Sequence, residues 1–218
     1  MSSAFRNGLR TSLPLAVPTG LLGVTFGATA LASGWPPAAP IVASIVIFSG
    51  SAQFALLTVL AGGGSLATAV GSAALFNARF VPMGIALGPS LHGGRARRAV
   101  EGMANVDGSW MIAHEGEGRF DRHKLFGATT AQLVAWIGGT VVGVVAAPPQ
   151  NVFHDFGLDV IYPAFFLILL LEELREGGGS WRVALASAAL AAALLWVVSP
   201  GVTLLLCAAV ALTGLRGR

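Results

Sequence analysis

Apolar stretches that are long, numerous and separated by only a few residues leave this chain one environment in which to fold. A helix that crosses a bilayer needs about 20 apolar residues with few charges. Windows of that kind occur at 13–32, 39–60, 66–87 and 125–147, and further apolar runs follow at 158–171 and 183–215, the last divided near Pro200-Gly201. Only 11% of the 218 residues are charged, against about 25% in soluble domains, too few to cover a water-facing surface. The reading is an all-α polytopic membrane protein with about six or seven hydrophobic segments, some of them broken or re-entrant.

Glycine supplies 29 residues, a share that weakens soluble helices but suits membrane bundles, where small residues let backbones approach. The net charge of +3 comes from short arginine tracts between apolar spans, where orientation signals lie; this excludes nucleic acid as a partner and makes the lipid bilayer the surroundings. Cys207, the single cysteine, has no partner for an intrachain disulfide and reads as a small apolar residue. Arg6 and Arg10 precede an apolar stretch too long for a signal peptide, so 13–32 is expected to be a retained first span, bent or interrupted by Pro14, Pro18 and its glycines.

Basic residues collect at Arg6/Arg10, Arg95/Arg97/Arg98, Arg119/Arg122/Lys124, Arg175/Arg182 and Arg216/Arg218. The positive-inside rule places all five groups, and the N-terminus, in the cytoplasm. Residues 13–89 then cross an even number of times although they hold three apolar segments, so one segment is re-entrant or one group breaks the rule. Residues 90–124 read as a polar connecting region with an interfacial or re-entrant helix, because 101–119 mixes Glu101, Asp107, Glu115 and Glu117 with apolar residues.

Polar groups inside apolar segments are the candidate functional residues. Ser49-Gly50-Ser51-Ala52-Gln53 stands midway along 39–60. Hydroxyls and an amide in hydrocarbon need partners, and Gly50 permits an unwound backbone able to hold a small polar solute; packing between helices is the competing reading. Asn77 and Arg79 lie in 66–87, where a guanidinium must be paired, reach an interface or face water. Arg79 could receive a carboxylate through two hydrogen bonds or pair with Asp107 or Glu101. Asp107, with Asn105, Ser109 and Trp110 around it, could bind an ammonium, carry a coupling proton or balance Arg79.

No enzymatic constellation stands out. His114, Glu115 and Glu117 do not form His-Glu-x-x-His, His154 and Asp155 have no further ligands nearby, and Gly62-Gly63-Gly64-Ser65 lacks the lysine of a phosphate loop; no catalytic, cofactor-binding or metal residues are assigned. Ala52-Gln53-Phe54 and Ala131-Gln132-Leu133 hint at an inverted repeat of the kind many secondary transporters carry. A non-transporting scaffold subunit and a carrier of another small amphoteric solute are the competing functional readings.

Three segments give a more specific reading: Phe48-Ser49-Gly50-Ser51-Ala52-Gln53-Phe54, Asn77-Ala78-Arg79, and Gly157-Leu158-Asp159 followed by Pro163-Ala164-Phe165-Phe166. In motif, order and spacing the chain resembles the AzlC-like family, the large subunits of branched-chain amino acid exporters, also described as azaleucine-resistance proteins. The resemblance implies one transmembrane transporter domain over residues 1–218 in the bacterial plasma (inner) membrane. It implies a permease that exports branched-chain or other hydrophobic amino acids with a small AzlD-like membrane subunit, and proton coupling is one candidate drive. It points to Ser49, Gly50, Ser51, Gln53, Asn77 and Arg79, with Asp107, as substrate-binding or gating positions. Family members commonly have histidine after the Asn-x-Arg arginine, where this chain has Phe80, and often Thr-Asp-Glu where it has Val106-Asp107-Gly108. A mechanism resting on that histidine or on paired carboxylates is absent here.

Overall fold

A computed structural model describes residues 2–116, 118–146, 167, 171, 180–194, 196–198, 203, 206 and 207. The described residues are helical in the main: α1 Ser3–Ala32, α2 Ala38–Val46, α3 Gly50–Ala61, α4 Leu66–Asn77, α5 Phe80–Leu87, α6 Arg95–Gly102, α7 Asp107–Ala113, α8 Arg122–Ala146 and α9 Ser180–Leu194. Among them, α1 and α8 are long and apolar enough to cross a membrane, and α4 with α5 make a third candidate as one broken span. The expectations at Glu117, Pro148-Pro149, His154, Asp155, 157–166, Glu172, Glu173, Arg175, Pro200-Gly201, Arg216 and Arg218 lie outside the described residues.

The chain divides into two compact units, one within Met1–Gly50 and Asn77–Ala147, the other within Ser51–Phe76 and Pro148–Arg218. The first is built on α1 and α8, with α2 and α7 packed on α8. These two long helices run parallel, because partners rise together along both: Gly8 lies against Lys124, Ser12 Oγ donates to the Ala128 carbonyl at 3.0 Å, and Gly23 lies against Trp136. The seam is backbone on backbone. A Cβ at Gly23 would sit 2.5 Å from the Trp136 carbonyl oxygen, and those at Gly139 and Gly143 would strike the carbonyls of Gly20 and Val24. Glycine at these positions is the condition for the approach.

The first span is one continuous 30-residue helix, which corrects the expectation of an interruption. Pro14 and Pro18 are four residues apart and both exposed, so they share a face turned away from α8, and the face carrying Ser12, Gly20, Gly23 and Gly27 keeps its ladder. Thr19 Oγ1 also donates to the Leu15 carbonyl at 2.7 Å, so this hydroxyl finds its partner within the helix.

Parallel packing brings the basic starts of α1 (Arg6, Arg10) and α8 (Arg122, Lys124) to one end of this unit. Glu101 ties α6 to the same end: Arg97 Nε donates to its Oε1 at 2.9 Å and Arg122 Nε to its Oε2 at 2.8 Å, with a second, shorter Arg122 bond to Oε1. These forks hold the Glu101 carboxyl down from its ordinary 4.5 to about 2, the Arg122 hydrogen bond being the largest cause. With 8 and 7 residues, α6 and α7 rise only about 12 and 10 Å, far less than a bilayer core. Under this end Leu87, Leu91, Ala113, Phe120 and Leu125 form a compact cluster against which Trp110 packs.

In the second unit, α3 buries Ser51, Ala52, Gln53, Phe54, Ala55, Leu57 and Val59. It turns through Gly63, at φ +75°, into α4, whose first turn is capped by Ser65 Oγ accepting from the Thr68 amide at 3.2 Å. In α9, Ser187 exchanges bonds with Cys207, whose Sγ lies 3.4 Å from the Ser187 carbonyl oxygen.

Candidate functional site

Two of the apolar segments are broken, and both breaks fall at the polar residues singled out above. The run 39–60 ends its first helix at Val46 and restarts at Gly50. Between them Phe48 takes φ +30°, a region that bulky residues rarely enter, at a cost of roughly 1–3 kcal/mol. The run 66–87 breaks at Ala78-Arg79, between α4 and α5. Ser49 Oγ donates to Asn77 Oδ1 at 2.6 Å, which pins the first break to the second.

Gly50 is required by a close approach: a Cβ there would lie 2.8 Å from the Trp136 ring. That indole is almost wholly buried, stacks on Phe26 with ring centroids 6.0 Å apart, and donates from Nε1 to Ser44 Oγ at 3.1 Å. Ser44 and Thr140 share a hydroxyl–hydroxyl bond of 2.9 Å. Sequence reasoning passed over Trp136, Ser44 and Thr140. The sequence offered only a faint signal, a tryptophan placed mid-segment with Thr140 one helical turn on, and nothing in it pointed to Ser44.

Arg79 meets Asp107 as a fork: Nε donates to Oδ1 at 3.0 Å and Nη2 to Oδ2 at 2.8 Å. Of the partners open to Arg79, the structure takes Asp107, while Glu101 goes to Arg97 and Arg122. The guanidinium also lies over the Phe80 ring, 4.8 Å from its centroid, so the aromatic at the family's histidine position supports the cation without titrating. The side chains of Arg79 and Asp107 are 34% and 46% accessible, so the pair is part-buried and not sealed inside the unit.

Asp107 opens α7, and the residues around it are locked. Ser109 Oγ lies 2.8 Å from the Ala104 carbonyl and 3.0 Å from that of Val106, its one proton shared between them, and Thr129 Oγ1 of α8 donates to the same Ala104 carbonyl at 2.6 Å. A Cβ on Gly108 would lie 2.8 Å from Gln132 Oε1. The glycine that replaces the family's second acid therefore makes room for the Gln132 amide. Asn105 is buried, and its Oδ1 has no hydrogen-bond partner among the described residues.

Thus Ser49, Gly50, Asn77, Arg79 and Asp107 belong to the first unit, linked by the Ser49–Asn77 bond and the Arg79–Asp107 fork. Ser51 and Gln53 lie in the first turn of α3, in the second unit, and both are buried. Gln53 and Gln132, the centres of the suggested repeat, occupy unlike elements: a 12-residue helix just after a break and the interior of a 25-residue helix. Glu115 is engaged by Lys124 Nζ at 2.7 Å, and no cluster of three metal-ligating side chains is found among the described residues.

Apolar helices interrupted where hydroxyl, amide and ion-paired groups gather define a polytopic membrane protein with a polar centre on broken helices. The chain belongs to the AzlC family: the family model described as AzlC protein matches residues 14–148, more than half of the chain and a stretch that holds both breaks, Asp107 and Trp136. An uncharacterized membrane protein of Archaeoglobus fulgidus is 29% identical over 194 residues, 88% of this chain and 85% of its own length. The branched-chain amino acid transport protein AzlC of Bacillus subtilis is 24% identical over 174 residues, 78% of this chain and 68% of that protein. The inner membrane protein YgaZ of Escherichia coli is 24% identical over 188 residues, 80% and 75% of the two chains. No solved structure matches the chain.

Proposed function

We propose that this chain is the large subunit of a two-component permease that exports branched-chain or other hydrophobic amino acids across the bacterial plasma membrane. In this reading the N-terminus is cytoplasmic and a small AzlD-like membrane protein completes the permease. The observation that carries it is the half-accessible Arg79–Asp107 fork beside two broken helices. An amino acid in solution is a zwitterion, and the fork is its electrostatic mirror. The substrate carboxylate takes the Arg79 fork, Asp107 turns to the substrate ammonium, and the site stays neutral throughout, so no bare charge is left in a low-dielectric setting. A net cation or anion leaves one partner uncompensated and is rejected on that ground. The name of the Bacillus subtilis relative supports the substrate class.

Apolar contacts around the side chain favour leucine, isoleucine, valine and methionine, with modest discrimination among them, since one methylene is worth only about 1–3 kcal/mol. The Phe48 and Arg79 breaks supply the joints for alternating access. The test is efflux of labelled leucine, valine and methionine from liposomes holding the protein, with and without the small subunit and an imposed pH gradient. Saturable, partner-dependent efflux is expected. Verified insertion of both proteins without efflux of any of the three would overturn the reading, and gradient-independent efflux would remove proton coupling from it.

A further inference from the structure

We propose that the basic end of the first unit carries a site for an anionic phospholipid, separate from the Arg79–Asp107 fork. A cavity of about 380 Å³, roughly twelve waters' worth, opens where apolar α5 gives way to basic α6. One wall is apolar, with Gly84, Leu87, Gly88 and Leu91; the other presents Arg95 and Arg98. Gly84 leaves its side of the space open, since a Cβ there would meet nothing within 4 Å, whereas one at Gly88 would lie 3.1 Å from Arg98 Nη2.

The charge balance of this wall is positive. The one acid on α6, Glu101, is consumed by Arg97 and Arg122. Arg98 spends one Nη2 donor on the Gly88 carbonyl at 2.6 Å and keeps its others, while Arg95 has no hydrogen-bond partner among the described residues. Two guanidiniums with donors to spare suit a phosphodiester, which accepts forked bonds as a carboxylate does. The surroundings set the depth. Val81 and Ile85 of α5, Val100 of α6 and Met103 just after it are exposed apolar residues, as expected where helices face acyl chains. The arginines stand at the headgroup level, where basic pockets beside membrane helices bind anionic lipid. The phosphate lies between Arg95 and Arg98, and an acyl chain follows the Gly84–Leu91 wall.

The test uses the full chain in neutral detergent, with lipid retention read by native mass spectrometry and stabilisation by Tm. Phosphatidylglycerol is expected to bind at least roughly tenfold tighter than phosphatidylcholine and to raise Tm more. Arg95→Gln/Arg98→Gln should erase that preference, and Arg95→Lys/Arg98→Lys should retain most of it. Gly84→Leu, which fills the cavity with every charge intact, should cut binding of phosphatidylglycerol by a similar factor and serves if the glutamine variant does not fold. Equal binding of the two lipids, an unchanged preference in the glutamine variant or undiminished binding in Gly84→Leu would each overturn the proposal. So would full displacement of phosphatidylglycerol by millimolar inorganic phosphate, which would make the site one for a free anion.

Discussion

Arg79 is the residue on which charge and geometry meet and on which the proposed function rests, and its chemistry separates two roles that a positive charge alone would merge. A fork needs a planar guanidinium, whereas a point charge needs only an ammonium. Arg79→Gln is expected to lower kcat/KM for leucine efflux at least about tenfold, about 1.4 kcal/mol; the half-accessible setting of the pair places it toward the weak end of charged contacts. Arg79→Lys should fall between that variant and the parent, with membrane insertion unchanged in both, and kinetics of either variant matching the parent would remove Arg79 from the site. Glu101 makes a different prediction. Its carboxyl is held down from 4.5 to about 2, so the stability it supplies is complete above about pH 4.5 and fades as the pH falls toward 2. Glu101→Gln should therefore have a lower Tm at neutral pH, and the deficit against the parent should shrink across that window. A constant deficit would show that the forks do not act through charge. At this scale the sequence was legible where polarity interrupts hydrocarbon: Ser49, Asn77 and Arg79 stood out for that reason, and Asp107 as a possible partner for Arg79. Trp136 was not, because an indole in an apolar run looks like any other apolar side chain until its partner Ser44, 92 positions away, is known.

Elements were legible by their apolar length and less so by their breakers. Proline suggested an interruption in α1 that the structure does not have, because both prolines occupy the outer face. The true breaks in 39–60 and 66–87 fall at polar clusters, where side-chain bonds to other segments, Ser49–Asn77 and Arg79–Asp107, hold the interrupted stretches in place. Periodicity within one segment cannot reveal a partner that lies in another. The α1–α8 seam yields a sharp comparison between neighbours. A Cβ at Gly138 would meet nothing, whereas one at Gly139 would strike the Gly20 carbonyl. Gly138→Ala is expected to be neutral or to stabilise by up to about 1 kcal/mol through helix preference; Gly139→Ala should destabilise by about 1–3 kcal/mol through overpacking. Thermal unfolding of both in detergent decides it, and equal Tm values would mean that the seam is not this tight.

For the whole molecule, the basic groups were the informative part of the sequence. The parallel run of α1 and α8 and the Arg97–Glu101–Arg122 cluster gather three of them at one end of the first unit, as the positive-inside rule requires of residues sharing a compartment. In a Cys207→Ala background, Ser3→Cys and Arg119→Cys are expected to react with an impermeant thiol reagent from the cytoplasmic side and Ser33→Cys from the other. Labelling of Ser3 and Ser33 from one side would contradict a spanning α1. The seam itself sets the mechanics of any transport cycle. Where main chain rests directly on main chain, no side chain can change rotamer to absorb a sliding step, so α1 and α8 behave as a stator. In the proposed transport cycle, displacement falls to the segments whose ladders are already interrupted, at Phe48 and Arg79.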